Sequence, residues 1–421
     1  MKPAVWIASL ASWLNPRRLR AQAMLLALCL WGVCVADYST PGLFDRAGNI
    51  KFQDFFQFPV SANLIAQGRA DELYNPQILT NALRAIAGPD TSIRLQYFYG
   101  PQVALPFIPL RALSFLAQGA IWVAFSVLLY LGCVYLIWTT CTVLKPYAAL
   151  VALCAIAYPP LFHFFVRGQI SALPLVCFTA AYLAFRARRG WLVGIALGFL
   201  FVKPQFLVAV PFVLLFGKSW RAFAGLVISA AAQLGLTFAF FGKTVMRAYF
   251  NMLLHSASQP GTTELSLSSI QMHSLRSFWA LLIPWPGVVW ALYVTSSVAV
   301  IALAVAIWRS SPFLTIRFSS LLVAAVLVNP HLYIYDLLGL LPALLLMADW
   351  AAAHLQHPRT AELHVLLYLS FLLPLLGPIS RWTHVQLSVL AFSALLCVLW
   401  RISSTALSSP RELATSESAV V

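Results

Sequence analysis

The chain has 421 residues, of which 61% are hydrophobic and only 9% charged, and its mean hydropathy is +0.84. A soluble domain of this size cannot bury so much apolar surface, so the composition excludes a water-soluble protein and predicts helices that cross a membrane several times. The net charge of +15 does not indicate nucleic-acid binding, because the basic residues flank apolar runs as they do in cytoplasmic loops.

The first element in chain order is an apolar run at residues 21–36, preceded by basic residues between Asn15 and Arg20. This arrangement predicts a cytoplasmic N-terminus and a first helix that runs outward. The alternative is a cleaved signal peptide that ends near Ala36. Both interpretations place the following residues on the extracytoplasmic side.

Residues 37–97 are predicted to form a long first extracytoplasmic loop, which holds six of the twelve acidic residues. Within it, residues 55–68 show helical spacing of apolar and polar positions, which predicts a short amphipathic helix lying on the membrane. Residues 98–116 are apolar but contain three prolines, which favours an interfacial or re-entrant hairpin over a regular span. The six acids are Asp37, Asp45, Asp54, Asp71, Glu72 and Asp90.

The remaining chain alternates apolar runs with basic inner turns, such as residues 186–189. The runs at 191–202 and 205–216 are each too short for an ordinary span, so Lys203 at their junction is expected inside the protein. The total is about twelve transmembrane helices in one domain, residues 1–401. The Ser-rich residues 402–421 are predicted to be a disordered cytoplasmic tail.

The seven cysteines lie within or beside apolar runs, without metal-ligand spacing. They are therefore interpreted as small hydrophobic core residues. They are Cys29, Cys34, Cys133, Cys141, Cys154, Cys177 and Cys397.

This topology places several polar residues from separate segments at the outer level of the membrane. Charged groups at membrane depth cost a few kcal/mol each, so such residues usually mark a site or an ion pair. The residues are Asp54, Arg167, Gln169, Lys203, His273, Arg276, His331 and Asp336.

Each of these residues also has a simpler interpretation. Asp54 could be an ordinary solvated loop residue, and Lys203 could extend its ammonium to the surface. Arg167 could contact lipid headgroups, and His331 could belong to a helix-start turn. The convergence of the segments is therefore the informative observation.

A carboxylate such as that of Asp54, placed among several cations, suits a particular reaction. A lone base can remove the proton of an attacking hydroxyl, and cations can stabilise a departing phosphate. This chemistry is glycosyl transfer from a lipid-phosphate sugar. No Asp-x-Asp motif occurs and no clustered acid pair is interpreted as a metal site, so neither a metal nor another cofactor is expected.

Six short motifs occur in an order that resembles a known family. The chain is similar to GT-C glycosyltransferases of family 87, which include polyprenol-phosphate-mannose-dependent α-mannosyltransferases. The motifs are Asp54 followed by Gly68 and Leu73-Tyr74, Tyr99-Gly100-Pro101, Gly168-Gln169-Ile170-Ser171, Lys203-Pro204, Ser274-Leu275 and Asn329-Pro330-His331. Ser171 and Met272-His273 depart from the family pattern, so the resemblance does not specify the sugar or the acceptor.

The resemblance implies an inverting, metal-independent enzyme of the inner (plasma) membrane, with cytoplasmic termini and an extracytoplasmic active site. Its partners would be a polyprenyl-phosphate sugar, with mannose as the expected sugar, a glycolipid or glycan acceptor, and membrane lipids. Asp54 would be the general base, and Lys203, Arg167 and Arg276 would bind the donor phosphate. The sugar and acceptor would contact Gln169, Tyr99, His273, His331 and Asp336.

Two other classes of protein remain as alternatives. A lipid or solute transporter or flippase would carry polar residues at both faces and through the middle of the membrane, whereas here they concentrate at the outer side. The second alternative is a structural subunit with a decayed GT-C scaffold, and the presence of Asp54 and Lys203 argues against it.

Overall fold

The computed structural model describes residues 3–89, 95–258 and 269–408, and within these ranges the regular structure is helical, without strands. Asp90 and residues 409–421 of the predicted tail lie outside the described residues. The α-helices are α1 Pro3–Trp13, α2 Pro16–Tyr38, α3 Gln57–Ala66, α4 Pro76–Ala87, α5 Phe115–Thr140, α6 Ala148–Ile156, α7 Pro159–Arg167, α8 Ala172–Arg186, α9 Gly190–Gly198, α10 Val210–Phe216, α11 Trp220–Ser258, α12 Leu275–Leu282, α13 Pro286–Ser310, α14 Leu314–Leu327, α15 Leu341–Ala353, α16 Thr360–Leu372, α17 Ser380–Thr383 and α18 Leu387–Ser408. Short 3₁₀ helices lie at Gln53–Phe56, Ala70–Glu72, Pro101–Ala112, Lys145–Tyr147, Phe199–Val202, Pro204–Leu207, Ser269–Gln271, Ile334–Leu340 and Leu373–Ile379.

Seven helical segments of the described chain are long and apolar enough to cross a bilayer, and α6 with α7, bent by 49°, makes an eighth. Four further apolar helices are shorter than a usual span. The all-helical polytopic membrane protein is therefore confirmed, whereas the count of twelve crossings stays a prediction. The seven segments are Pro16–Tyr38, Phe115–Thr140, Trp220–Leu254, Pro286–Ser310, Ile334–Ala353, Thr360–Thr383 and Leu387–Thr405; the shorter four are Ala172–Arg186, Gly190–Val202, Pro204–Phe216 and Leu314–Leu327.

Helix α14 forms the centre of the helical bundle. Every residue from Phe318 to Leu327 is buried, so α14 contacts protein on all sides. It packs against α13, α15 and α18. The segment that leaves its C-terminal end, residues 328–340, therefore emerges in the middle of the bundle.

The first loop differs from the sequence prediction. Helix α3 forms where expected, but most of its side chains are buried in protein, so it does not lie on the membrane as a surface helix. The reason is that the proline-rich 3₁₀ segment Pro101–Ala112 packs against α3 and covers it. Small residues such as Ser61 and Ala62, both fully buried, allow this close contact.

The phenylalanines around Asp54 also pack inward. Phe56 stacks on Phe115 at a ring distance of 3.7 Å, and Phe58 stacks on Phe107 at 5.1 Å. Together with buried Phe55, they form part of the aromatic core of the first loop. These rings therefore hold the first loop to the bundle.

The last helix differs at its end. α18 continues to Ser408, past the position at which the tail was predicted to begin. Residue Ile402 is buried against the hydrophobic core, which explains why the helix does not stop at Arg401.

Candidate active site

Asp54 lies in the 3₁₀ helix Gln53–Phe56. The residue before this helix, Phe52, has left-handed backbone angles (φ 54°). Phe55 and Phe56, which follow Asp54, are fully buried, whereas the Asp54 side chain keeps 22% of its surface exposed. The amide of Gln57 donates a hydrogen bond of 2.8 Å to the Asp54 carbonyl oxygen. The carboxylate is thus held on a rigid loop but remains accessible.

The turn after α7 lies against this loop. Gly168 ends α7 with φ 67°, and a Cβ atom at this position would come within 2.9 Å of Cβ of Phe55 and 3.1 Å of Cβ of Phe52. Only glycine combines this backbone angle with so close an approach. The contact places the next residue, Gln169, beside Asp54.

Gln169 is buried and connects three side chains. Its amide nitrogen donates to Oδ2 of Asp54 at 2.9 Å and to the Tyr335 hydroxyl at 3.3 Å. Its amide oxygen accepts from the Tyr99 hydroxyl at 3.0 Å. The indole of Trp122 donates to its backbone carbonyl at 3.1 Å, which fixes the turn itself.

Arg167 faces the other carboxylate oxygen. Its guanidinium lies 3.7 Å from Oδ1 of Asp54 and donates to the side-chain oxygen of Gln53 at 3.4 Å. The longer distance to Asp54 shows a charge contact without a close hydrogen bond. Oδ1 is therefore the less occupied oxygen of the carboxylate.

Lys203 lies at the break between two half-length helices and is 1% exposed, as its position in the sequence predicted. Its ammonium donates to Oδ1 of Asp336 at 2.5 Å and to the hydroxyl of Ser171 at 3.1 Å. Ser171 in turn donates to the same Asp336 oxygen at 2.6 Å. Asp336 thus balances the charge of Lys203, a partnership the sequence analysis did not anticipate.

Two tyrosines join the Asp54 group to the Lys203 group. The Lys203 ammonium lies 5.3 Å from the ring centre of Tyr335 and 5.9 Å from that of Tyr99, within the range of cation–π attraction. Both tyrosines are hydrogen-bonded to Gln169. Asp54, Gln169, Ser171, Lys203 and Asp336 therefore belong to one continuous polar network, named here the Asp54–Lys203 network.

Tyr335 was not among the predicted site residues. It belongs to the stretch 331–335, in which Leu332 and Ile334 are buried in the hydrophobic core. The alternate residues His331, Tyr333 and Tyr335 form a row, with neighbouring ring centres 5.0 and 5.3 Å apart. The alternation of apolar and aromatic residues is typical of extended backbone and was the signal that could have identified Tyr335.

His331 continues this row towards Phe98, whose ring centre is 6.0 Å away and whose side chain is 40% exposed. Burial lowers the pKa of His331 to about 4; Asp336 opposes this shift, whereas Arg276 and Lys203 add to it. His331 is therefore a neutral imidazole at neutral pH, able to exchange hydrogen bonds but not to supply a positive charge.

Arg276 is buried near the same end of the bundle, with its guanidinium 4.9 Å from the ring centre of Trp290. Within the part of the chain that the structure describes, it has no carboxylate within 4.0 Å, and its Nη2 atom has no hydrogen-bond partner. A buried cation without an acidic partner is costly unless an anion approaches it.

His273 is directed away from the network. Its Nδ1 lies 2.7 Å from the Ser388 hydroxyl, at the start of α18, and its backbone N–H donates to the carbonyl of Leu332 at 2.9 Å. Burial, with a smaller contribution from His163, lowers its pKa to about 3. The structure thus brings Asp54, Tyr99, Arg167, Gln169, Lys203 and Asp336 together, with His331 and Arg276 nearby, and it places His273 elsewhere.

Metal ligands do not cluster in the described ranges: no group of three His, Cys, Asp or Glu side chains could hold a metal ion there. The donors of the network are mainly hydroxyl, amide and ammonium groups, which suit an anionic or sugar ligand.

Comparison with known protein families decides the class of the protein. The model of glycosyltransferase family 87 matches residues 97–330, more than half of the chain. The chain belongs to glycosyltransferase family 87. No curated protein and no solved structure matches it.

Membership of family 87 makes the protein a membrane glycosyltransferase. The family resemblance drawn from the short motifs is confirmed, and the class of transporter is set aside. The matched region includes Tyr99, Gln169, Lys203 and Arg276, whereas Asp54 precedes it and Asp336 follows it. The place of Asp54 in the site therefore depends on the geometry described above.

Proposed function

We propose that this glycosyltransferase moves a sugar, with mannose as the proposed sugar, from a polyprenyl-phosphate donor to a glycolipid or glycan acceptor. The reaction takes place at the extracytoplasmic face of the plasma membrane, inverts the anomeric centre and needs no metal ion. The observation that carries the proposal is the Asp54–Lys203 network, in which an accessible carboxylate is linked to the buried ammonium of Lys203.

Asp54 is the general base of the proposed reaction. Its Oδ1 takes the proton of the acceptor hydroxyl while the acceptor oxygen forms a bond to C1 of the donor sugar. The bond between C1 and the phosphate oxygen breaks, and its electron pair leaves with the polyprenyl phosphate. Because attack and departure occur on opposite faces of C1, one such step inverts the anomeric configuration.

The departing phosphate gains a negative charge, which a cation must stabilise. Arg276 suits this role best of the three proposed cations because it has a free Nη2 atom and no acidic partner in the described chain. Arg167 lies beside the attacking base at 3.7 Å and can contribute from that side. Lys203 can contribute only by giving up part of its bond with Asp336.

The sugar and the acceptor are proposed to lie over the aromatic row that ends in His331. Neutral imidazole and tyrosine rings present both apolar faces and hydrogen-bonding edges, which is the combination that sugar rings require. Tyr99 and Gln169 hold this row in place through the hydrogen bonds that reach Tyr335, and Asp336 holds it through its bond with Lys203. His273 has its Nδ1 bonded to Ser388, so only its Nε2, which has no hydrogen-bond partner in the described chain, is left for a ligand.

The proposal is tested by incubating the purified protein with a panel of polyprenyl-phosphate sugars and candidate glycolipids and identifying the product by mass. Asp54→Asn is expected to reduce transfer by about 10²–10⁴-fold, because it removes the base. Asp71→Asn is the matched control, since Asp71 is an exposed acid of the same loop. Full transfer by Asp54→Asn would show that Asp54 is not the base.

A further inference from the structure

The amide of Gln169 has two ends that differ chemically but not in shape. One end is an acceptor and the other carries two N–H donors, so the neighbours decide which end faces which group. In this site the donor end faces Asp54 and Tyr335, and the acceptor end faces Tyr99.

We propose that Gln169 is a positioning residue for Asp54 and that the Tyr99 hydroxyl keeps the N–H end of the Gln169 amide turned towards the carboxylate. This inference rests on the proposed role of Asp54 as the base. It differs from the sequence-based expectation that Gln169 and Tyr99 contact the sugar or the acceptor.

Tyr99 is buried, and its hydroxyl can meet the amide oxygen of Gln169 only as a hydrogen-bond donor. Burial, assisted by the charges of Asp336 and Asp54, raises the pKa of Tyr99 well above its usual range. The hydroxyl therefore remains protonated at every pH at which the enzyme works, and it donates to Oε1 of Gln169 at 3.0 Å.

The orientation of the Gln169 amide affects the Asp54 carboxylate. A Gln169 amide turned the other way would bring its oxygen against Oδ2 of Asp54, 2.9 Å away, where two acceptors repel each other. The orientation fixed by Tyr99 thus presents Oδ2 of Asp54 with a hydrogen-bond donor instead of a second acceptor. It also fixes the rotation of the carboxylate by holding Oδ2.

The two oxygens of the Asp54 carboxylate differ in their availability to a proton. Because Gln169 occupies Oδ2, the incoming proton goes to Oδ1, which faces Arg167 at 3.7 Å. Arg167 also donates to Gln53 and makes no close hydrogen bond to Oδ1, so Oδ1 keeps the capacity to accept from a hydroxyl. The titratable and charged groups that face Asp54 are Arg167, Tyr99 and Tyr335.

The first test is the pH profile of kcat for Gln169→Glu, measured with polyprenyl-phosphate mannose and the best acceptor of the panel. Two carboxylates at this distance repel each other, so the pair retains one shared proton to a higher pH than Asp54 alone does. The acid limb of the profile should therefore shift to higher pH by at least about one unit. Activity should recover at higher pH. A merely structural role for Gln169 would lower kcat equally at every pH and would overturn the inference.

The second test compares Tyr99→Phe with Tyr335→Phe, which both remove one hydroxyl from Gln169. Only Tyr99→Phe frees the amide to turn, so it should reduce kcat by about tenfold, with little change in donor KM and a smaller loss in Tyr335→Phe. Equal losses in the two variants, or an unchanged kcat in Tyr99→Phe, would overturn the role of Tyr99.

A third measurement does not depend on activity. In an infrared-monitored pH titration, Gln169→Glu should keep a protonated carboxyl band to a pH at least about one unit higher than Gln169→Glu/Asp54→Asn does; the same midpoint in the two variants would overturn the contact. The outcomes separate the two proposals. Full transfer by Asp54→Asn rejects the base and the inference with it, whereas an inactive Asp54→Asn with a normal Tyr99→Phe rejects the inference alone.

Discussion

At the scale of single residues, the ion pair between Lys203 and Asp336 joins two parts of the chain inside the bundle. Both side chains are almost completely buried, so each depends on the other to offset the loss of water. The Ser171 hydroxyl completes the contacts of the shared oxygen. The pair therefore supports the segment that carries Tyr335.

This arrangement predicts opposite effects for single and combined substitutions. Lys203→Met or Asp336→Asn should destabilise the fold by about 3–5 kcal/mol, because each leaves a buried group without its partner. Lys203→Met/Asp336→Leu with Ser171→Ala should recover most of this loss. Thermal unfolding in detergent provides the measurement, with exposed Lys145→Met as the control. Additive losses in the combined variant would contradict the prediction.

The lowered pKa values of two histidines lead to a prediction of how the stability of the fold depends on pH. The pKa of His331 is lowered to about 4 and that of His273 to about 3, whereas both residues titrate near 6.5 when the chain is unfolded. Their contribution to stability is therefore complete above pH 6.5 and is lost as the pH falls towards 4. The melting temperature should fall over this range, less steeply in His331→Gln. Exposed His384→Asn is the control; a slope unchanged in His331→Gln would contradict the assignment.

The sequence allowed several site residues to be predicted, because polar groups in an apolar chain are conspicuous. It could not show that Asp336 would pair with Lys203, because that contact depends on how α14 and the half-length helices pack. Nor could it show that His273 would bond to Ser388, far along the chain. Tyr335 was missed because a tyrosine in an apolar stretch is most often a core residue.

At the scale of elements, the turn between α7 and α8 determines where Gln169 lies. Its shape depends on Gly168, which touches the loop of Asp54 through Phe52 and Phe55. The sequence identified this turn by its motif, but it could not reveal that the first loop packs against it. The same limit applied to α3, whose periodicity predicted a surface helix although neighbouring residues cover it.

Gly168→Ala is expected to destabilise the fold and to displace Asp54. The positive φ alone costs about 1–2 kcal/mol, and the added methyl group would collide with Phe55. Gly132→Ala is the matched control, because a Cβ atom there meets nothing within 4 Å in the middle of α5. Unfolding temperature and transfer rate measure the two effects, and equal behaviour of the two variants would contradict the prediction.

At the scale of the whole molecule, the network residues lie at one end of the helical bundle, although they come from distant segments. The first loop, the turn after α7, the break at Lys203 and the stretch after α14 all meet there. Basic residues such as Arg189 lie at the ends of other helices. The proposed orientation places the network outside the cytoplasm and these basic turns inside it.

This orientation predicts the reactivity of single cysteines placed in a variant whose seven native cysteines are replaced by alanine. A cysteine at Asp71 should react with a membrane-impermeant maleimide on intact spheroplasts, and one at Arg189 only after lysis. Both positions are exposed in the structure, so access depends on the side of the membrane. The reverse pattern would place the active site in the cytoplasm and would contradict the proposed donor topology.

The hydrogen bonds of Gln169 also bear on when the enzyme becomes active during its synthesis. Asp54 precedes Gln169 by 115 residues, and Tyr335 follows it by 166. At ordinary translation rates the proposed base, Asp54, therefore waits on the order of tens of seconds for Tyr335 and Asp336 to be made. During that interval a nascent chain in the membrane has Asp54 but not the complete Asp54–Lys203 network, so we expect transfer activity to begin only after residue 336 has been made and has packed.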